Sequence, residues 1–208
     1  MARLAERRPL HLPASIRLGR ELDLERLVKL VKEGREASAR KAWRKVLLGL
    51  PADRFGERAG LLIRWILGEA YRPSVRKSEE WQARASYFSE MRRLMKAHLD
   101  RARAERTRAP SDSGRIAVET DLQVLSRVRY RPGAVPLLHL SRRRLTAGEL
   151  TRYLQREEDR FRKLSEDADR AGLMLQNAEH EMQKEYQMLA AMCKVLNKSA
   201  QAMAEERK

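Results

Sequence analysis

The chain has little of what stabilises small extracellular domains or β-sheet cores. It contains one cysteine in 208 residues, so no intramolecular disulfide can form, which fits a reducing compartment. Aromatic residues make up only 5% of it, fewer than a ring-rich β core uses. No run approaches the roughly 20 apolar residues of a transmembrane helix, and no cleavable Sec signal is recognisable. We therefore expect a helical protein that is cytoplasmic, or exported without such a signal.

Motifs of catalysis and metal binding are also absent. The sequence has no glycine-rich phosphate loop, dinucleotide fingerprint, zinc-protease helix or paired-cysteine spacing. The four histidines lie far apart, and the single thiol, Cys193, has no histidine near it in the sequence. Acidic residues around Glu157 and Glu166 alternate with arginines, which is typical of ion pairs on a helix surface. We expect no enzymatic activity, no bound metal and no cofactor.

Positive charge is abundant and unevenly distributed. The net charge is +16, and residues 1–110 hold 27 Lys and Arg against 14 Asp and Glu. Residues 145–208 hold 11 against 12, so the C-terminal third is close to neutral. A basic excess of this kind attracts nucleic acid, an anionic membrane surface or an acidic protein, although a solvated helix face would also explain it. The candidate anion-binding or nucleic-acid-binding residues are Arg84, Arg92, Arg93, Lys96, Arg101, Arg103, Arg142, Arg143 and Arg144.

Proline and glycine positions divide the chain into five predicted segments. Three short helices, from Leu22, from Arg35 and from about Ala52, should form a small bundle that ends near Tyr71. Pro73 should open the next helix. The predicted segments are a basic arm at 1–21, the bundle at 22–72, a long basic helix at 73–108, a linker at 109–145 and a C-terminal helix at 146–208.

The linker segment has two interpretations. Apolar and polar residues alternate from Val124 to Tyr130, and Arg131–Pro136 has the composition of a turn. A short β-hairpin at 124–140 accounts for both features. A helix at 116–129 followed by a loop fits almost as well.

The C-terminal segment carries the strongest pattern. Thr146 and Glu149 form a predicted capping box, and no proline follows. Eight apolar residues then recur every seventh position from Leu154 to Met203. A helix of about 60 residues would be ~90 Å long and needs a partner of similar length, either the other long helix or a second copy. The predicted oligomerisation seam is Leu154, Phe161, Leu164, Leu175, Met182, Leu189, Met192, Leu196 and Met203, and a second seam is Trp81, Phe88, Met91 and Met95.

Two stretches resemble proteins of known type. Residues 173–203, rich in Leu, Met and Gln, are similar to the C-terminal helix of helical filament and needle-like proteins of type III secretion systems. Residues 79–99 resemble the upstream coiled-coil helix of similar proteins. The resemblance implies a helical subunit whose C-terminal helix lies in the core of a filament.

The sequence as a whole predicts a mainly α fold, with a small N-terminal helical bundle and two long coiled-coil-like helices. The predicted function is that of a structural or assembly protein, which oligomerises with itself or with other helical proteins. One alternative is a basic helical nucleic-acid-binding protein. Another is a subunit of a larger complex that docks on an acidic protein through its basic N-terminal half.

Overall fold

The computed structural model describes residues 21–108, 114–122 and 128–206. The protein is mainly α, with two long helices and one small antiparallel sheet among these residues, which confirms the predicted fold class. The predicted basic arm at 1–21 lies outside the described residues except for Glu21. The elements are α1 (Glu21–Lys32), α2 (Glu36–Leu48), α3 (Phe55–Arg108), β1 (Ile116–Asp121), β2 (Leu140–Leu145) and α4 (Ala147–Glu206).

The described residues divide into two compact units. The first unit comprises the residues up to Lys77 and those from Glu179 onward, and the second comprises Ser78–Ala178. Both long helices therefore contribute one part to each unit. The predicted segments followed the helices, whereas these units follow the packing between helices that are distant in the sequence.

The core of the first unit is apolar. It brings together α1, α2, the first part of α3 and the last part of α4. Trp43, Leu62 and Leu196 are fully buried there. The Trp43 indole Nε1 donates a hydrogen bond to the Leu196 carbonyl oxygen at 2.9 Å. The predicted helices from Leu22 and Arg35 are confirmed, and they pack together with the C-terminal helix as a fourth component.

Gly34 separates α1 from α2 for two physical reasons. Its φ of +66° lies in the left-handed region, which only glycine adopts without a steric penalty. A Cβ at this position would also lie 2.9 Å from the Met188 Sδ atom of α4. The predicted end of the first helix at Gly34 is therefore explained by the backbone conformation, and a larger residue there would also require the Met188 side chain to shift.

One predicted helix boundary is wrong. The sequence placed a break between Tyr71 and Pro73, but α3 runs without interruption from Phe55 to Arg108 with Pro73 inside it. Proline has no N–H to offer the Glu69 carbonyl, so the helix loses one hydrogen bond there. Because Pro73 lies on an exposed side of the helix, water can hydrate the neighbouring backbone. Burial of Ile66 and Ala70 keeps the residues before the proline helical.

The second unit surrounds two smaller apolar clusters. In one, Met91 and Met95 of α3 pack with Leu164 and Ala168 of α4. In the other, Leu99 packs with Val118 of the sheet, Leu150 and Leu154. The two predicted seams therefore contact each other within one chain along this part of the two long helices.

The position predicted for the hairpin, 124–140, is wrong for the described residues, because only Leu140 of that interval belongs to a strand. β1 pairs antiparallel with β2, with Ile116 opposite Leu145 and Asp121 opposite Leu140. The strands thus flank residues 122–139, and the alternative of a helix at 116–129 is wrong for the six residues of β1. Val128 is buried and Tyr130 packs edge-on against Tyr87 of α3. These two side chains therefore pack against α3 and do not pair in a sheet. Residues 123–127 lie outside the described part of the chain.

The predicted capping box at the start of α4 is confirmed. The Glu149 backbone N–H donates to the Thr146 hydroxyl at 3.3 Å, and the Thr146 N–H donates to the Glu149 carboxylate at 2.8 Å. The Thr146 hydroxyl also donates to the Glu149 carboxylate at 3.0 Å. The two hydrogen bonds that the Thr146 N–H and hydroxyl donate to this carboxylate lower the pKa of Glu149, because they stabilise its ionised form. The cap fixes the first turn of the helix directly after β2.

Candidate functional site

Most of the predicted oligomerisation seam is covered by the chain itself. Leu154 and Leu164 are buried in the second unit. Phe161, Leu175 and Met182 are half-buried. This apolar surface is therefore largely removed from water within the chain itself. The remaining four seam residues are buried in the core of the first unit: Leu189, Met192, Leu196 and Met203.

The second predicted seam is likewise internal. Phe88, Met91 and Met95 are buried against the α4 side of the second unit. Trp81 is half-buried, and its ring lies 4.8 Å from the guanidinium carbon of Arg84. Arg84 also lies over Tyr130 at 5.4 Å, so this predicted anion-binding residue is engaged in cation–π contacts.

Three of the predicted anion-binding residues are already paired with carboxylates. Arg92 contacts Asp169 at 2.9 Å and Arg93 contacts Glu90 at 2.6 Å. Arg103 contacts Glu158 at 2.8 Å. The positive charge of these three side chains is therefore partly compensated within the chain, which weakens their attraction for an external anion.

The other predicted anion-binding residues remain available. Lys96, Arg101 and the three consecutive arginines of β2 (Arg142, Arg143 and Arg144) are all exposed. None of the five forms an ion pair with a carboxylate of the described residues. We call Arg142, Arg143 and Arg144 the β2 arginines. They form a run of positive charge on a strand that pairs with β1, where Glu119 lies opposite Arg142 in the register.

Two arginine-lined clefts accompany the β2 arginines. Arg142 lines a cleft of about 540 Å³ together with Arg101 and Arg108 of α3. Arg143 lines a cleft of about 320 Å³ together with Arg152 and Arg156 of α4. Successive residues of a strand project to opposite faces, which explains why neighbouring arginines reach different clefts. Each cleft also contains two carboxylates, so the excess positive charge in each is modest.

A buried polar network lies beside these clefts. Arg160 donates to Glu157 at 2.7 Å and to Asp121 at 3.1 Å, and all three residues are buried. The Tyr153 hydroxyl accepts a hydrogen bond from the Asp121 backbone N–H at 2.9 Å. It also lies 2.7 Å from His98 Nε2. The network thus connects α3, β1 and α4.

Burial shifts the pKa values of two groups in this network. The cost of desolvating the charged form lowers the pKa of His98, although the nearby carboxylates of Glu157 and Asp121 oppose the change. Burial likewise raises the pKa of Tyr153 to about 12, so its hydroxyl keeps its proton. The Tyr153 hydroxyl, which also accepts from the Asp121 N–H, forms a hydrogen bond with His98 Nε2 whose direction depends on the imidazole tautomer.

Sequence reasoning identified only part of this network. The pairing of Glu157 with Arg160 follows from their spacing on a helix and was expected. His98, one of the four histidines that follow no motif, is buried. The contributions of Asp121 and Tyr153 were missed, because residues 32 positions apart carry no local signal of their contact.

Other classes of site are not evident in the described residues. No group of three or more His, Cys, Asp and Glu side chains is placed there to hold a metal ion. No helix in the same residues combines the length and apolar character needed to cross a membrane. No protein-family model matches the chain, and comparisons with curated proteins and with solved structures give no match.

Proposed function

We propose that the protein is a non-catalytic helical protein that binds nucleic acid through a basic surface of its second unit. This basic surface consists of the β2 arginines and the two arginine-lined clefts beside them. The observation that carries this proposal is the run of three exposed β2 arginines, none of which forms an ion pair with a described residue, with an arginine-lined cleft on each side of the strand. Guanidinium groups present planar donor forks that match phosphate oxygens, so such a surface suits a phosphodiester backbone.

The internal use of the seams also supports this choice. An assembly protein needs an exposed apolar stripe, whereas the strict heptad positions here are mostly buried within the chain. Exposed arginines cost little in stability when they are left unpaired in water, and they contribute to binding when they neutralise phosphates and release the counterions condensed on the nucleic acid. The basic surface is therefore the feature of the second unit that its own folding does not use.

The test is binding of a fluorescein-labelled 30-nucleotide RNA and a DNA duplex of equal length to the full chain over a range of salt concentrations. We expect affinity to fall steeply with salt. Replacing all three β2 arginines with glutamine should reduce the slope of log K against log salt by up to about 3 on the duplex, since each phosphate contact contributes ~0.9.

A matched control is available in the first unit. Lys41, Arg44 and Lys45 are exposed on α2, so their replacement by glutamine removes the same charge from a different place. We expect this variant to retain most of the affinity and the salt slope. Equal losses in the two variants would show that net charge alone drives binding. Failure of both probes to bind at low salt would contradict the proposal and favour an acidic protein as partner.

Self-assembly, including a subunit role in a secretion-system-like filament, is the second candidate. Leu173 and Met174 favour it, because these apolar residues are 61% and 37% exposed on α4. Replacing both with aspartate should lower the oligomeric mass measured by light scattering, if the chain oligomerises. Aspartate at Leu189 or Leu196 would not test the idea cleanly, because both residues belong to the core of the first unit.

A further inference from the structure

The first unit contains an open groove that its own helices do not fill. It has a volume of about 850 Å³ and lies between the start of α2 and one stripe of α4. Its floor and rim on α4 include Tyr186, Ala190, Ala191, Lys194, Val195 and Lys198. This α2/α4 groove is separate from the basic surface of the second unit, which carries the proposed function.

The shape of the groove suits another helix. The lining residues of α4 recur in adjacent pairs every fourth position from Tyr186 to Ser199, so they form one continuous stripe. At ~1.5 Å per residue this stripe is roughly 20 Å long, or between three and four helical turns. Ala190 and Ala191 are exposed at its centre, and their small side chains allow a second backbone to approach closely.

The charge of the groove indicates which helix would bind. Lys194 and Lys198 are exposed on the α4 side and form no ion pair with described residues. On the α2 side, Glu36 and Arg40 pair with each other at 2.6 Å, so they add no net charge. An apolar centre with a basic rim complements an amphipathic helix that has small apolar residues on one face and acidic residues beside them.

The charge of the chain itself argues against an internal occupant. Residues 1–20 carry five arginines and one glutamate, so they would add positive charge next to Lys194 and Lys198. A second copy would bring a net charge of +16. We therefore propose that the α2/α4 groove binds an acidic amphipathic helix of another protein.

The experiment uses a labelled synthetic peptide of 18 residues with Ala and Leu on one face and Glu on the other. Its matched control carries Lys in place of every Glu. Fluorescence anisotropy with the full chain should show saturable binding of the acidic peptide and much weaker binding of the basic one. Equal binding of the two peptides would overturn the proposal.

Variants of the protein locate the binding site. Ala191→Arg fills the centre of the groove while adding positive charge, so a roughly tenfold loss of affinity would identify steric occupation of the groove and exclude general attraction. The double variant Lys194→Glu and Lys198→Glu should also weaken binding roughly tenfold. Lys29→Glu with Lys184→Glu makes the same charge change outside the groove and should have little effect.

Two further results would overturn the proposal. If replacing the β2 arginines with glutamine weakens peptide binding as much as Ala191→Arg does, the acidic peptide binds the basic surface of the second unit. If the chain alone is dimeric and Ala191→Arg makes it monomeric, the groove binds a second copy.

Because all of these substitutions are at exposed positions, circular dichroism should confirm that each variant remains folded. If the full chain binds the acidic peptide but neither nucleic-acid probe, the proposed function is wrong and the proposal for the groove is unaffected.

Discussion

The two units of this protein are stabilised in different ways. In the described part of the chain, every buried side chain that is polar or charged belongs to the second unit: His98, Thr120, Asp121, Glu157 and Arg160. The core of the first unit consists of apolar side chains, and the indole N–H of Trp43 is hydrogen-bonded within it. One unit therefore depends on apolar burial, and the other also depends on a set of directional contacts.

This difference has a consequence for the basic surface. Apolar contacts tolerate small displacements, whereas buried ion pairs require correct geometry at both partners. Arg160 holds Asp121, the last residue of β1, and β1 pairs along its length with the strand of the β2 arginines. The buried network thus positions the sheet on which the proposed nucleic-acid-binding surface is built.

The largest expected effect is from Arg160→Met. The substitution keeps an extended apolar chain but leaves Asp121 and Glu157 buried without the guanidinium that pairs with both. We expect a loss of about 3–5 kcal/mol in the free energy of unfolding. Hydrogen exchange monitored by mass spectrometry should show that the substitution accelerates exchange more in the second unit than in the first.

Arg162→Met is the matched control for that prediction. Its side chain is 75% exposed and, among the described residues, pairs only with the exposed Asp159. We expect a loss below about 1 kcal/mol. Similar losses for the two variants, or faster exchange confined to the first unit after Arg160→Met, would contradict the proposed difference between the units.

A smaller effect is expected from Trp43→Phe in the first unit. Phenylalanine fills much of the same space, but it cannot donate to the Leu196 carbonyl, which would then be buried without this partner. We expect a loss of about 1–2 kcal/mol in the free energy of unfolding, measured by denaturant titration. Trp65→Phe is the control, because Trp65 is only half-buried and has no side-chain hydrogen bond among the described residues. A larger loss at Trp65 would show that lost volume outweighs the hydrogen bond.

Local patterns in the sequence predicted the features that depend on local physics. The Thr146–Glu149 cap is set within four residues, and Gly34 ends α1 because of its own backbone conformation. At six of the eight heptad positions from Leu154 to Met203 the side chain belongs to an apolar cluster, whereas Leu175 and Met182 belong to none. The predicted mainly α fold follows from the same signals.

Tertiary packing decided the features that the sequence did not reveal. The strength of a proline as a helix breaker depends on what surrounds it, and the packing before Pro73 keeps α3 continuous. A heptad pattern likewise does not distinguish a partner helix in the same chain from one in another chain. The contact of Arg160 with Asp121, 39 residues away, could not be read from periodicity at all.

The smallest expected effect is a difference between the two units in how stability depends on pH. It arises from His98, which belongs to the second unit. Its pKa is lowered below the usual 6.5 by burial, so the folded state binds fewer protons than the unfolded state once the pH falls below that value. The free energy of unfolding should therefore decrease as the pH falls from about 6.5 towards the lowered pKa, and it should change little above that range. The groups that face the ring have opposing effects: Glu157, Asp121 and Glu119 favour its protonated form, and Arg101 opposes it.

Hydrogen exchange at about pH 7.5 and about pH 5.5, corrected for the intrinsic rates, should show this loss of stability in the second unit. His98→Gln should remove it while keeping a polar partner for Tyr153, and a pH dependence that survives the substitution would have to come from another group.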